Sequence, residues 1–369
     1  MKPGRLGVLL LVCAALAGCG PSAVPRELTE AERAGDQGRW DDALKLYSGL
    51  VDRRCQGAPR DVSDWTLRKV CGPAALGRGM ALARLMRINE AVAAFLVIPD
   101  MVGNRGRAAS RALERAADLL MHSGQNQRAH ELHYKVILGY PDSAAADDAL
   151  RVLVREGRRH DQAHLLAILL ELEPQVPGTT VGDNLLFEAA LLTQDRGDLE
   201  GALKLYDRLP LEYPKSGLRD DSWRTAAKIL RGLGRPQEAI DHLEEFLRTK
   251  ATARMIGSYN SPYLPDAAIE AGRIALEDMK APGKALAYFR RAYDDYPTST
   301  RRDDAAVWVA TALAAGGEPR AACATLARHA RRYPERVTSS DRAAALRAQL
   351  GCPPVTQASG SAQPAPKSR

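Results

Sequence analysis

Aromatic residues and runs of β-branched residues are scarce in this chain of 369 residues, of which only 5% are aromatic. Its apolar residues are mainly alanine and leucine, which favour helix over sheet, so an all-β sandwich is excluded. Hydrophobic residues make up 45% and charged residues 26%. These values are typical of a folded chain and exclude a large disordered protein. The net charge of +7 is too small an excess to indicate nucleic-acid binding.

Motifs that carry chemistry are also missing. The sequence has no GxSxG, HExxH, P-loop or dinucleotide-binding glycine pattern. His160 and His164 lie one helical turn apart and could share a metal, but no further ligands follow nearby, which favours a solvated helix face. A helical accessory region of a peptidoglycan-cleaving enzyme would need a catalytic domain, for which no residues remain. We therefore predict a non-enzymatic protein without catalytic residues, bound metal or dissociable cofactor.

The N-terminal segment has the three-part layout of a secretory signal. Lys2 and Arg5 precede the apolar run 6–16, which is too short to span a bilayer as a mature helix. Residues 16–19 read LAGC, which resembles the lipobox of bacterial lipoproteins. The resemblance implies cleavage after residue 18, an acyl lipid on Cys19 and a lipidated tether over residues 19–27. Gly20 then implies the periplasmic face of the outer membrane of a Gram-negative bacterium. The alternative is an ordinary signal peptide with a chance cysteine.

The cysteines fit export to an oxidising compartment. The chain has six cysteines, of which Cys13 is removed with the signal segment and Cys19 is expected to carry the lipid. An even number remains, as expected of a protein whose cysteines pair in disulfides. The remaining four form two local pairs, predicted as disulfides: Cys55 with Cys71, and Cys323 with Cys352. A zinc site is the alternative, but it lacks CxxC spacing and adjacent histidines.

A repeat fills most of the chain. Its unit is a glycine, an alanine five residues later, a bulky residue four after the alanine, and a proline twelve after the alanine. The alanine position recurs eight times, at Ala43, Ala91, Ala129, Gln162, Ala202, Ala239, Ala285 and Ala322. Glycines precede six of these positions, where a turn between two helices needs positive φ or no side chain: Gly38, Gly124, Gly157, Gly197, Gly234 and Gly317.

This frame resembles the tetratricopeptide repeat, a helix-turn-helix unit of about 34 residues. The resemblance implies an all-α, right-handed superhelical solenoid of about eight hairpins over residues 28–352. Inserts at 55–71 and about 250–264 interrupt it. The stretch 339–350 reads as a C-terminal capping helix, and residues 353–369 are predicted to be a disordered tail.

A sharper phrase occurs three times, beginning at Tyr140, Tyr213 and Tyr296: YP, one residue, S, three residues, then DD. Proline ends one helix, serine lies near the next N-cap, and the aspartates complement the helix dipole. The phrase is similar to repeats of lipid-anchored envelope proteins, notably in the β-barrel assembly machinery and the Tol-Pal system.

The resemblance places the first helix of each hairpin on a concave wall that binds peptides or proteins. Its register puts seven residues of the fifth and sixth units on this wall: Asn184, Phe187, Gln194, Asp221, Arg224, Lys228 and Arg231. The basic row suits an acidic segment or a carboxylate, although a solvated helix face is the alternative. We therefore predict a lipid-anchored periplasmic scaffold that binds an envelope protein or peptide, such as one of outer-membrane protein assembly. The alternatives are a Tol-Pal or peptidoglycan-linked coordinator and a glycan or exopolysaccharide-binding lipoprotein, for which Trp65, Tyr259 and Tyr263 would be the aromatic platforms.

Overall fold

The computed structural model describes residues 24–56, 62–103, 107–249, 261–333 and 337–354. The signal segment 1–18, Cys19 and residues 355–369 of the predicted tail lie outside them. The chain divides into two compact units, Met1–Glu188 and Ala189–Arg369. No strand occurs among the residues that are described. None of their helices is long and apolar enough to cross a membrane.

Unit 1 is built from short helices. They are α1 (Arg26–Asp36), α2 (Trp40–Arg54), α3 (Asp64–Thr66), α4 (Gly72–Arg84), α5 (Ile88–Leu96), α6 (Ile98–Val102), α7 (Ala108–His122), α8 (Asn126–Gly139), α9 (Ala144–His160) and α10 (Gln162–Leu172), with a π-helical turn at Leu67–Cys71 and a 3-10 turn at Glu173–Gln175. Helix α11 (Thr180–Asp195) begins in unit 1 and ends in unit 2.

Unit 2 continues the pattern. Its helices are α12 (Leu199–Glu212), α13 (Arg219–Gly232), α14 (Pro236–Arg248), α15 (Leu264–Arg273), α16 (Pro282–Asp294), α17 (Arg302–Ala315), α18 (Pro319–Arg332) and α19 (Val337–Gln349), with a π-helical turn at Ile274–Asp278. Neighbours in sequence pack as hairpins: α13 on α14, α15 on α16, α17 on α18, and in unit 1 α1 on α2, α4 on α5, α7 on α8. The predicted all-α fold of tetratricopeptide-like hairpins is confirmed.

The alanine positions of the repeat are buried in every hairpin where alanine occupies them. Each of the seven alanines is fully buried and is the fourth residue of its helix. A side chain larger than a methyl group would have to displace its neighbours there. Gln162 is a correction, because it is exposed at the start of α10, and the fourth residue of that helix is the buried Leu165.

The turn glycines also follow the repeat, with one exception. Five of them have positive φ angles of 72° to 86°: Gly38, Gly124, Gly197, Gly234 and Gly317. The prediction of a turn at Gly157 is wrong, since Gly157 lies inside α9. A Cβ at Gly157 would lie 2.7 Å from the Cβ of Leu165. This glycine therefore leaves space for the leucine that replaces the usual alanine.

The three copies of the YP phrase shape the entry to the following helix. Ser143 is the N-cap of α9 and accepts a hydrogen bond from the Ala146 amide at 3.2 Å. Ser216 and Ser299 accept one from the amide two residues later, at 3.0 Å each, before α13 and α17 begin. The predicted N-cap is confirmed for Ser143, and the other two serines close a turn ahead of the helix.

Both predicted cysteine pairs are bonded in the structure. Cys55 and Cys71 have Cα atoms 5.6 Å apart and bridge the two sides of the first insert. Cys323 and Cys352, with Cα atoms 5.4 Å apart, join α18 to the segment after α19. The second bond therefore ties the predicted capping helix to the last hairpin.

Candidate functional site

A groove of about 620 Å³ lies on unit 2, along the first helices of successive hairpins. Side chains from α13, α14, α15, α17 and α19 line it, with Tyr263 just before α15 and Arg301 just before α17. Five cationic side chains and three carboxylates are among them: Arg224, Lys228, Arg273, Arg301 and Arg342, with Asp266, Glu270 and Asp304. The groove therefore carries an excess of positive charge, which favours an anionic ligand.

Two of the predicted residues, Arg224 and Lys228, lie at one end of this groove. The Arg224 guanidinium is 4.6 Å from the centroid of the Tyr263 ring and reaches the Asp221 carboxylate at 3.3 Å. Lys228 is exposed and makes no hydrogen bond or ion pair to any residue within the described ranges. A flexible, unneutralised ammonium beside a positioned guanidinium is suited to a carboxylate of a bound chain.

Arg231, the third member of the predicted basic row, has a different role. Its guanidinium lies 2.8 Å from Glu270, 2.7 Å from Glu277 and 2.6 Å from Asp278, and its side chain is only 22% exposed. Burial lowers the pKa of Arg231, but hydrogen bonds to the three carboxylates more than offset this effect and raise the pKa above its ordinary value. Arg231 therefore joins α13 to α15 and the π-helical turn that follows, and its charge is already matched inside unit 2.

The residues predicted from the fifth hairpin pack within their own units. In unit 1, Asn184 donates hydrogen bonds to the Asp147 carboxylate at 3.1 Å and the Thr180 carbonyl at 3.0 Å. In unit 2, Gln194 accepts one from the Tyr206 hydroxyl at 3.0 Å. Phe187 is half-buried and has contacts of its own. These three side chains are thus occupied by structural contacts, and binding through them stays a prediction.

The other end of the groove centres on Trp308, which is not among the residues predicted from the sequence. Its ring stacks on Phe289 with centroids 5.4 Å apart and planes at 16°. Arg273 and Arg342 lie 5.5 and 4.7 Å from the centroid of the same ring. The first-helix register, extended to the eighth hairpin, gives Asp304, Val307, Thr311 and Ala314, so it passes over Trp308. Nothing in the repeat identifies Arg342, because it lies on the capping helix.

Ion pairs cross the groove floor and link three helices. Arg301 pairs with Asp266 on α15 at 2.7 Å, and Arg342 pairs with Asp304 on α17 at the same distance. Because these pairs are partly exposed, each contributes little to stability, about 0 to 1 kcal/mol. They fix side-chain positions and reduce the free charge at this end, and Arg224 is paired with Asp221, so Lys228 is the groove cation that has no carboxylate partner among the described residues.

The three aromatic residues predicted as glycan platforms do not form a common surface among the described residues. Tyr263 is 44% exposed, but its ring lies beside the Arg224 guanidinium. Trp65 is half-buried in the short helix α3. Tyr259 lies outside the described residues. No pair of open, parallel aromatic faces occurs among these candidates in the part of the chain that is described.

Comparison with known proteins gives only distant structural likeness. No family model matches the chain, and no curated protein matches it. One similar solved structure is the C-terminal part of a repeat-containing protein of the tetratricopeptide class from Cytophaga hutchinsonii. It is 10% identical, covers 85% of this chain and 98% of its own, and has a TM-score of 0.37. A tetratricopeptide repeat protein from Parabacteroides merdae is 13% identical over 78% of this chain and 98% of its own, with a TM-score of 0.30.

The TPR2AB domain of yeast Sti1, solved as a complex with pHSP90, is 14% identical over 90% of this chain and all of its own, with a TM-score of 0.30. All three comparisons concern helical-repeat proteins. The class assigned to this chain, an all-α protein of tetratricopeptide-like hairpins, rests on its own helix packing and buried alanine positions.

Proposed function

We propose that this protein is a non-enzymatic scaffold that binds an acidic segment of another protein in the groove of unit 2. The observation that carries the proposal is the charge at the Arg224 end of the groove. Lys228 is exposed without a partner among the described residues, and Arg224 is held against Tyr263. Carboxylates of a bound segment would complete the hydrogen bonds of both cations.

The wall of the groove supports a peptide rather than a single ion. Between the cations lies the half-buried Trp308 of α17, and Ala267 and Ile269 of α15 also line the groove but are buried. Such a surface can contact the aliphatic parts of an extended chain while the cations hold its carboxylates. Ring faces next to arginine side chains are less suited to stacking sugars, which disfavours the glycan-binding alternative.

The cellular setting belongs to the same proposal. The lipobox-like LAGC before residue 20 and two disulfides support a lipid-anchored protein in the periplasm, attached to the outer membrane through Cys19. The YP phrase supports a role among envelope assembly proteins, with a Tol-Pal or peptidoglycan-linked coordinator as the alternative. An envelope protein with an acidic segment is therefore the proposed partner.

Site-specific photocrosslinking in cells tests this function. A photoreactive amino acid at position 228 should give a covalent adduct with an envelope protein, and peptide mapping should place the bond in or beside an acidic segment. The matched control is position 135 on α8, where Lys135 is likewise exposed on a helix. Adducts at 135 and not at 228, or adducts at 228 with glycan alone, would contradict the proposal.

A further inference from the structure

The last helix of the described residues, α19, forms part of the groove. Helix α19 packs on α17 and α18, as a capping helix should. Its Arg342 lies 4.7 Å from the centroid of the Trp308 ring and pairs with Asp304 at 2.7 Å. The position of α19 therefore decides whether Arg342 stands at the wall of the groove.

Residues 339–349 of α19 bury little apolar surface. Over residues 339–349, whose side chains are described, Ala343 is the one apolar residue that is buried. Leu346 is half-buried, and most of the other side chains are exposed. Hydrophobic stabilisation scales with the apolar area removed from water, and a single buried alanine removes little. Other contacts must keep the helix in place.

A buried polar contact fixes the first turn of α19. The Ser339 hydroxyl donates a hydrogen bond to Asp303 on α17 at 2.9 Å, and the Nε2 atom of His329 on α18 lies 3.3 Å from the same oxygen. All three side chains are buried. This contact lies one turn before Arg342 and leaves the other end of the helix to be held separately.

A covalent contact fixes the far end. Gly351 adopts φ of +61°, and the Cys352 amide donates a hydrogen bond to the Arg347 carbonyl at 3.0 Å, so the chain turns back at the end of α19. This turn brings Cys352 to α18, where it is bonded to Cys323. Arg342 thus lies between a hydrogen-bonded anchor and a disulfide anchor.

We infer that the Cys323–Cys352 disulfide is a positioning element of the binding site, which keeps Arg342 at the groove so that it contributes to binding an acidic segment. The inference rests on the proposed function. Without the disulfide, α19 keeps its first-turn anchor and little apolar contact, so its last two turns separate from α18. Arg342 then spends less time at Trp308 and Asp304, and the groove loses one of its cations.

The test uses the full chain and a fluorescein-labelled octaglutamate peptide as the probe, with affinity measured by fluorescence anisotropy. We expect R342Q to weaken binding about fivefold, the effect of one partly exposed charge contact. C323A/C352A should weaken it about two- to fivefold, because the Ser339 anchor one turn before Arg342 stays in place. The matched control is C55A/C71A, which removes the other disulfide, in unit 1, and should bind as the wild type does. Because Cys323 and Cys352 are half-exposed, C323S/C352S is a second variant if the alanine pair folds poorly.

Hydrogen exchange supplies a readout that does not depend on the ligand. In C323A/C352A the amides of residues 344–352 should exchange at least about tenfold faster than in the wild type, while those of α17 keep their protection. Wild-type affinity in C323A/C352A, or unchanged protection of 344–352, would overturn the inference, and so would R342Q binding as the wild type does. Failure of the wild type itself to bind octaglutamate would instead count against the proposed function, and the exchange result would still decide whether the disulfide holds α19.

Discussion

Lys280 adopts, in the turn between α15 and α16, the left-handed backbone conformation that Gly234 adopts in the turn between α13 and α14. Their φ angles are +54° and +72°. Each residue stands five positions before a buried alanine, Ala285 or Ala239. Met86, with φ of +60°, takes the same place before Ala91. The turn geometry is therefore fixed by the hairpin, even where the sequence offers no glycine.

Replacing Met86 with glycine should stabilise unit 1. A residue with a Cβ in the left-handed region costs about 1–2 kcal/mol, and glycine loses about 0.5–1 kcal/mol more backbone entropy on folding. Met86 is 78% exposed, so little packing is lost. We expect M86G to raise the free energy of unfolding by about 0.5–1 kcal/mol in chemical denaturation. The control is G38A, which should lower it, and a destabilised M86G would contradict this account of the turn.

The repeat predicted the fold because two of its features have a simple physical cause. A buried alanine lets two helices approach closely, and a glycine permits the left-handed turn before it. The repeat pattern predicted the fourth hairpin wrongly, because spacing alone cannot distinguish a glycine in a turn from a glycine that leaves space inside a helix. Gly157 supplies space for Leu165 inside a helix instead of a positive φ in a turn.

The candidate site was predictable only in part, for a similar reason. The first-helix register placed Arg224 and Lys228, which lie at the groove. It could not show that Arg231 pairs with Glu270, Glu277 and Asp278, because these acids belong to the next hairpin, 39 to 47 residues later. Contacts between hairpins depend on packing that the pattern within one hairpin does not contain.

His133 should make the protein sensitive to acid. It occupies the bulky position of the third hairpin, is 1% exposed, and has no hydrogen-bond partner for either ring nitrogen among the described residues. Burial, with a smaller contribution from His130, lowers the pKa of His133 to about 4. Between pH 6.5 and 4 the unfolded chain therefore binds the proton and the folded chain does not, so stability falls as pH is lowered, by up to about 1.4 kcal/mol per pH unit.

The substitution H133L tests this. It should raise the free energy of unfolding by about 1–2 kcal/mol at pH 7, because an unsatisfied polar ring is replaced by an apolar side chain. The gain should grow as the pH falls to 5. His242 offers a control of opposite sign, since its hydrogen bond to Asp207 raises the pKa of His242. H242Q should destabilise the protein at pH 5 more than at pH 8. An H133L gain that does not depend on pH would contradict the assignment.

Arg231 should be a determinant of stability rather than of binding. In R231E a carboxylate would face the three carboxylates that now surround the guanidinium. We therefore expect the free energy of unfolding to fall by about 2 kcal/mol or more. Thermal melts followed by circular dichroism measure this. Lys228 is exposed and lies one turn earlier, so the free energy of unfolding of K228E should be within about 0.5 kcal/mol of the wild-type value. Equal melts for the two variants would show that the cluster around Arg231 contributes nothing.

Lipidation of Cys19 remains a prediction from the sequence. The variant C19S should lack acyl chains and move from the membrane fraction to the soluble periplasm, because a chain without its lipid loses its membrane affinity. Membrane fractionation and intact-mass measurement provide the test. C13S, within the segment expected to be removed, is the matched control and should stay membrane-bound. Unchanged fractionation of C19S would refute the anchor.

The central claim is that the Arg224 end of the groove binds acidic protein segments, and a binding titration tests it most directly. Fluorescein-labelled octaglutamate is titrated with the wild type, with R224E/K228E, and with R128E/K135E, which carries the same charge change on α8 of unit 1. We predict that R224E/K228E binds about tenfold more weakly than R128E/K135E, and that wild-type affinity falls as salt is raised. Equal affinities for the two double variants would contradict the claim, because binding would then follow net charge and not this groove.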